Sequence, residues 1–536
     1  MKNPKLFVAT LMLIQSAAFA QVKLSKDFNV TVGTPYAVVD APSKMYFANS
    51  GTAIMIKTDG EKVTLQKYDV KTMKETGRKE YEDFPPENKL QDVVQAGDKL
   101  YYVFSSFNKK AKQEDLYVRP IVISEGTFGP SKMLFSTAKE VIPSSYDDAS
   151  SVNMFGLGRP IRFAVHTSFD HSKLLIRYRL KPAEKNDAKN FDVLGFYVFD
   201  PSFTKLWGGE VKMPYTEKEM NNIAYGVTKD GKAFMLARLN EAKRFELLNI
   251  GSDLKVTPNK IDINGGLIFE KLDLYEAADG NLNCMGFYAN GIDFKVNWTG
   301  DATTSYNING ILDWKMDQAG KVIDKHDFEF PIELINQYES KRAKEKNDKR
   351  EGEGKAGIND LKLIEVRWLA DGSRIILGEQ QYMRKEMHGT SMQMIYYYGD
   401  MVAARVGADG KLVWMKKLPK TQVGLKGKGS LSVKYMKGGD ASYIIYLDNP
   451  KNINLGINDV PVKHEDNMGG YLTAYKVDDA TGNIEKHTIT DVKDIKGTEA
   501  FQFRASRIFD AGDKTFLLEI YIKGKQDTMV KMELTK

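Results

Sequence analysis

The chain has 536 residues, 42% of them hydrophobic and 11% aromatic, with 44 Gly and a single Cys. That is too long for one small domain and too apolar for a disordered chain, and one cysteine excludes a disulfide framework or a cysteine zinc cluster. The net charge of +6 is spread along the chain, without the clustered basic footprint of a nucleic-acid binder.

Residues 1–20 read as a secretory signal. Lys2 and Lys5 make the positive start, Leu6 to Ile14 the apolar core, and Ala18-Phe19-Ala20 the small-residue cleavage site, so Gln21 begins the mature chain. Losing Lys2 and Lys5 lowers the net charge from +6 to +4. The apolar run is well short of the ~20 residues of a spanning helix. No Cys adjoins the cleavage site for a lipid, and no later segment is apolar enough to span a bilayer. The expectation is a periplasmic or secreted protein of the bacterial envelope, with one domain over residues 21–536.

From there a turn-and-strand unit recurs. A Gly- or Asp-containing turn precedes a short apolar run, as in Asn49-Ser50-Gly51 before Ile54-Met55-Ile56, and Gly97-Asp98-Lys99 before Leu100 to Phe104. The same happens at Asp170-His171-Ser172, Asp230-Gly231-Lys232, Asp279-Gly280, Asp371-Gly372-Ser373, Gly439-Asp440 and Gly512-Asp513-Lys514. Such turns supply the positive φ of tight hairpins. The runs after them are apolar on both faces, which suits strands buried between sheets. Most are followed by a second hairpin, around Asp69, Asp200-Pro201, Ala319-Gly320, Asp409-Gly410 and Thr481-Gly482.

Two hairpins make a four-stranded antiparallel sheet. The series therefore reads as an all-β protein, a β-propeller of about eight four-stranded blades, with seven as the alternative count. The spacing is roughly 65 residues per unit, against the ~40–45 of a minimal blade. The excess is assigned to loops at 181–190 and 290–305. The last unit, Phe503 to Leu534, has room for three strands, and Val22 to Val32 reads as a lone strand. Pairing the two closes the ring and removes an exposed edge.

Residues 331–362 break the pattern. Pro331, then Ile332, Leu334, Ile335 and Tyr338, make a first helical turn with an apolar stripe, and Lys341 to Arg350 is strongly charged. This predicts a charged helix and flexible loop projecting between two blades, either a solvated excursion or a docking arm for an envelope protein.

No nucleophile elbow, zinc-protease helix, phosphate loop or EF-hand occurs. Asp478 to Gly482 lacks the alternating ligands of a calcium loop and reads as a hairpin turn. His166 and His171 straddle a strand end and its turn; His388 and His464 are placed in long polar loops. Cys284, in the apolar stretch Leu282 to Tyr288, reads as a buried inert thiol. Trp207, Trp314 and Trp414 flank outer turns and read as packing between blades. No catalytic residue, metal site or cofactor is assigned.

The third quarter is the most distinctive. It runs through Gly378-Glu379-Gln380-Gln381-Tyr382, Ile395-Tyr396-Tyr397-Tyr398-Gly399-Asp400-Met401-Val402, Asp409 to Gln422 and Leu447-Asp448-Asn449-Pro450-Lys451-Asn452. Residues 365 to 455 resemble an uncharacterised group of exported bacterial β-propeller-like proteins with no assigned activity. A broader likeness is to quinoprotein-type eight-bladed repeats, through Asp479-Ala480-Thr481-Gly482-Asn483 and Asp409-Gly410-Lys411-Leu412-Val413-Trp414; clustered quinone ligands are not evident. These resemblances imply architecture, not activity.

Glu379, Gln380 and Tyr382 end one buried strand, and Asp448, Asn449 and Asn452 end its equivalent in the next unit. Equivalent strand ends share one face of a propeller, so these residues form a candidate polar binding rim with Arg367 and Arg384 nearby. The competing reading is that Asp448-Asn449-Pro450 caps a turn and Glu379 is structurally paired. Function is read as a non-enzymatic envelope scaffold binding a protein partner. The alternative is a glycan or small-molecule binder or enzyme using the central channel.

Overall fold

The computed structural model describes residues 24–535, apart from 97–98, 144–160, 185, 264–265, 270, 297–301, 370, 389–390, 426–429, 457, 466–468 and 513. The signal segment lies outside the described residues. Among the described residues the strands form eight sheets arranged in chain order, antiparallel except for one two-residue parallel pair in the sixth, which settles the blade count at eight.

Blade 1 is Ser43–Asn49, Thr52–Asp59, Lys62–Asp69 and Lys74–Tyr81. Blade 2 starts at Lys89–Ala96, blade 3 at Phe163–Thr167, blade 4 at Met220–Val227 and blade 5 at Leu272–Glu276. Blade 6 is Leu361–Trp368, Arg374–His388, Ser391–Val406 and Leu412–Leu418; blade 7 is Lys434–Gly438, Ala441–Asp448, Tyr471–Asp478 and Ile484–Asp491. Blade 8 is Ile508–Asp510, Thr515–Ile522 and Gln526–Leu534, and its outer strand is Phe28–Val32, paired antiparallel from Phe28↔Leu534 to Val32↔Val530.

Strand direction alternates within each blade, so the two faces of the ring differ. One carries the tight turns between first and second and between third and fourth strands. In one of them Asp371 Oδ1 accepts from Ser373 N at 2.9 Å while Gly372 sits at φ 80°. The other face carries the second-to-third connections and the links between blades, and nearly all the excess length lies there.

Part of that excess is not loop. Leu282–Val296 and Ala302–Met316 stay paired out to Val296↔Ala302, where a loop at 290–305 was expected. The reason is visible in Ile292-Asp293-Phe294-Lys295-Val296, a period-2 alternation that favours a β-ribbon. Blade 6 has a matching hairpin, with Arg374–His388 paired to Ser391–Val406. His388 therefore ends a strand instead of lying in a loop. His464 also departs from expectation: it lies in a two-residue strand parallel to Gln422–Gly424, 1% exposed.

The insertion holds two helices, α1 (Ile332–Asn336) and α2 (Lys341–Glu351). α1 is docked, with Ile335 buried and the Lys417 ammonium bonded to the Ile335 and Gln337 carbonyls at 3.3 and 2.7 Å. A cation there satisfies orphan carbonyls at the helix end. α2 buries no residue. After it, Asn307 and Asn309 hold the Lys355 and Ala356 carbonyls at 2.6 and 2.5 Å, and Ile358–Asn359 pairs with blade 5. The base of the insertion is thus stitched down, and the charged helix alone stands in solvent.

No central core exists in the described residues. Eight hydrophobic clusters lie one at each joint between neighbouring blades, such as Ile375, Leu377 and Trp414 of blade 6 against Tyr435, Tyr446 and Tyr475 of blade 7. The tryptophans serve these joints. Trp207 Nε1 donates to the Gly231 carbonyl at 2.7 Å and Trp414 Nε1 to the Asp479 carbonyl at 2.8 Å, each in the next blade. Gly482, at φ 68°, lies so close that a Cβ there would be 2.6 Å from the Trp414 ring.

The joint between blades 8 and 1 carries a buried ionic cluster as well. Lys57 Nζ lies 2.6 Å from Glu519 and 3.0 Å from Asp527, and all three side chains are fully buried. Lys44 lies 3.7 and 3.5 Å from the same carboxylates. The Tyr36 and Tyr46 hydroxyls donate to Glu519 at 2.9 and 2.7 Å. Burial works against ionisation of Glu519, but Lys57, Lys44 and Arg507 outweigh it and hold the carboxyl at about 2.

Removing one partner from a buried ion cluster leaves uncompensated charge. Lys57→Met is expected to destabilise the fold by about 3–5 kcal/mol, read as a lower urea midpoint. Adding Glu519→Gln should recover part of the loss; an unchanged midpoint in the single variant contradicts the role of this cluster in closing the ring.

Candidate functional site

Blade 6 ends its second strand in a buried network. Glu379 is fully buried, 2.7 Å from Lys420 Nζ, and accepts from Gln381 Nε2 and Ser432 Oγ at 2.7 Å each. Burial pushes the Lys420 ammonium down from its ordinary value, and Glu379 beside it opposes that. Lys420 also donates to Gln422 Oε1, and Gln422 Nε2 crosses to the Leu447 carbonyl of blade 7 at 2.8 Å. Gln380 donates to the Asn359 carbonyl at 3.1 Å, tying the insertion to the same strand.

Next door, Asp448 is buried and meets Lys486 Nζ at 2.9 Å, the Asn449 N–H at 2.9 Å and Asn452 Nδ2 at 2.7 Å. The Asn449 side chain caps the 3₁₀ turn Pro450–Asn452, and Asn452 exchanges hydrogen bonds with Val462 at 2.7–2.8 Å. These three residues fold a loop. Glu379 and Asp448 therefore belong to one buried inter-blade network, each beside a lysine, and do not line an open rim.

Tyr382 and Arg384 lie farther along, on the projecting hairpin. Tyr382 stacks on Tyr397 at 4.9 Å, and the Arg384 guanidinium covers both rings at 4.9 and 5.5 Å. Cross-strand partners share a face, so Tyr382/Tyr397, Arg384/Ile395 and Glu386/Gln393 lie on one side. The other side carries Met383/Tyr396, Lys385/Met394 and Met387/Met392. Met383, Met387 and Met392 are 56%, 62% and 49% exposed, an apolar stripe in solvent.

Arg367 lies elsewhere, on the first strand of blade 6 where it faces the central channel. A cavity of about 480 Å³ opens there, near the tight-turn face, lined from blades 1, 2, 6, 7 and 8. Glu365 sits two residues before Arg367 on the same side of the strand, and Lys434 enters from blade 7. Phe47, Tyr435 and Phe509 supply ring surface. Burial pushes Glu365 up and Lys434 down, each opposed by the other's charge. Among the described residues, no hydrogen bond or ion pair engages the side chains of Glu365, Arg367 or Lys434; Arg367 lies over the Tyr435 ring at 5.7 Å. The sequence reading picked out Arg367 but passed over Glu365 and Lys434. The available signal was the Glu365-Val366-Arg367 alternation in the opening strand of a blade, which puts two charges on one side of the strand nearest the channel.

The histidines do not converge. His166 lies between the inner strands of blades 3 and 4, 3.2 Å from Arg177 Nε. Asp27, Glu485 and His487 offer ligand atoms within 4.8 Å of one another, but Lys476 Nζ already lies 3.6 and 3.8 Å from the two carboxylates and supplies the positive charge. Asp478 accepts from both the Thr481 N–H and hydroxyl at 2.7 Å, which makes that segment a hairpin turn. Cys284 is fully buried, and burial pushes its thiol up, so it is no nucleophile.

Burial, reinforced by Arg177, pushes His166 from 6.5 to about 3. The folded state then binds fewer protons than the unfolded one below that unfolded value, so this contribution is full above pH 6.5 and is lost as pH falls toward 3. The expected slope is about 1 kcal/mol per pH unit as pH drops below neutrality. His166→Gln should flatten it in urea titrations, and parallel curves for the two proteins contradict the assignment.

No protein-family model and no curated protein matches this sequence. Solved structures do align with it. The Dos1 propeller is 9% identical with a TM-score of 0.38, covering 94% of this chain and 96% of that one. The WD40 domain of SCAP from fission yeast is 9% identical with a TM-score of 0.36, covering 96% and 97%. A prolyl endopeptidase is 11% identical with a TM-score of 0.37; the alignment covers 92% of this chain but only 55% of the peptidase. The eight-bladed assignment itself rests on the hydrogen-bonded sheets.

Proposed function

We propose that this chain is an exported envelope protein that works as a non-enzymatic binding propeller and docks a protein partner on its long-loop face. The carrying observation is the methionine side of the blade 6 hairpin. Exposed Met383, Met387 and Met392 are flexible and polarisable, a composition suited to adaptable protein contacts. The hairpin beneath them is stiffened by the Tyr382–Tyr397–Arg384 stack, so the stripe is held out at little entropic cost.

The insertion stands beside the base of this hairpin, since Lys417, which holds α1, also lies 3.3 Å from Asp400. α2 carries six Lys or Arg against three acidic residues. A fitting partner presents an apolar patch bordered by acidic groups. Export rests on the Lys2-to-Ala20 signal pattern, and the periplasm or cell exterior is its destination. The charges around Arg367 form a separate small-molecule candidate.

Pull-down from envelope extract tests the docking face. Met383→Ser, Met387→Ser and Met392→Ser together should remove the specific partner while shifting stability by no more than ~0.5 kcal/mol per site, as exposed substitutions do. Partner sets identical to the wild type's refute the face. N-terminal sequencing of the protein recovered from the envelope should begin at Gln21, and recovery with Met1 in the cytoplasm refutes export.

A further inference from the structure

The mouth of the central channel collects charges of both signs that the fold does not use. Glu365, Arg367 and Lys434 face one cavity of about 480 Å³, and none has a hydrogen-bond or ion-pair partner among the described residues. Of the other charges at this mouth, Lys437 pairs with Asp479, while Asp510, which accepts from the Gly512 N–H at 2.8 Å, adds its charge to that of Glu365 opposite Lys434. Two of the buried clusters elsewhere bring opposite charges into direct contact, Glu379 with Lys420 and Lys57 with Glu519. Confined charge without partners is costly, so it is kept where something else completes it.

The pattern limits what can enter. A simple anion would meet Arg367 and Lys434 but lie against the like charge of Glu365. A simple cation would meet Glu365 but face two positive groups. A neutral sugar would hydrogen-bond to these groups but supply no opposite charge to any of them. A molecule bearing both a carboxylate and an ammonium satisfies every group, and the volume falls in the range of ligand pockets, roughly 300–1,000 Å³. The rings of Phe47, Tyr435 and Phe509 offer apolar surface to the rest of it.

We propose that the channel mouth binds a small zwitterion, an amino acid or short peptide, with its carboxylate on Arg367 and Lys434 and its ammonium on Glu365. The planar guanidinium fork matches a carboxylate in two-point contact. This site lies at the tight-turn end of the channel, on residues separate from the methionine stripe. Its failure would leave the docking face untouched, and the reverse holds.

The test is thermal shift and calorimetry on the full mature chain with the standard amino acids, a dipeptide library and inorganic phosphate. A zwitterion is expected to raise the melting temperature in the millimolar range or below, by mass action on the native state. The N-acetyl derivative and the C-terminal amide of that ligand should each bind about tenfold or more weakly. Glu365→Gln should erase the preference for the free amine over the N-acetyl form while keeping the carboxylate preference. Arg367→Gln and Lys434→Gln should each weaken binding and erase the preference for the carboxylate over the amide. Two Gln variants on different blades guard against one failing to fold. No stabilisation by any amino acid or dipeptide overturns the proposal. So does phosphate binding as tightly as the best zwitterion and unaffected by Glu365→Gln.

Discussion

Everything in this molecule depends on closing the ring between its two ends. Because each hydrophobic cluster sits between two blades, a blade with a missing neighbour exposes half of its apolar surface. Among the described residues, blade 8 is the one built from both ends of the chain, with Phe28–Val32 supplying its outer strand. The pairing is reinforced on both sides: Thr535 N donates to the Asp27 carbonyl at 3.0 Å, and Gly33 N to the Met529 carbonyl at 2.8 Å. Across the joint, Lys57 serves two carboxylates at once, and the Tyr36 and Tyr46 hydroxyls complete Glu519. Ion clusters of this kind add little net stability compared with apolar packing, but losing one partner leaves an uncompensated buried charge. With no disulfide to hold the ends, the paired strands and this cluster are what join them.

Closure makes the two faces of the ring available for different work. The tight-turn face is compact, and polar groups of its short turns close the turns themselves, as Asp371 does with Ser373. The opposite face carries the length, in the projecting hairpins of blades 5 and 6, the helical insertion and the pinned loop from Asn449 to Gly470. This division follows from strand polarity alone, since alternate connections must emerge on alternate faces. It leaves the long face free to vary without disturbing closure.

Repetition was legible in the residues because it is local. A turn of Asp and Gly followed by four apolar residues specifies a hairpin wherever it occurs, and eight such copies specify a ring. The outer-turn tryptophans were legible for the same reason. The elements misjudged were those whose outcome depends on a partner strand. Residues 290–296 look polar enough for a loop, yet their alternation is held by the facing strand from Ala302. His464 reads as a loop residue until Gln422–Gly424 pairs with its strand. Glu379 and Asp448 do come together in one network, but as buried, ion-paired groups whose partners, Lys420 and Lys486, lie about forty residues away along the chain in each case.

The composition of this chain pointed from the start to a large protein of small net charge, without a disulfide framework or a cysteine zinc cluster. Its sequence determined the blade, its periodicity, the helical insertion and the strand types that need neighbours, because those are set by residues a few positions apart. Only the tertiary structure decided which charges meet. Glu365, Arg367 and Lys434 belong to two different blades and face one cavity only because the ring curves them toward a common axis. Lys57 and Glu519 are 462 residues apart and meet only because the ring closes. Strand patterns encode faces and turns, whereas the angle between blades is set by the packing of all eight joints together.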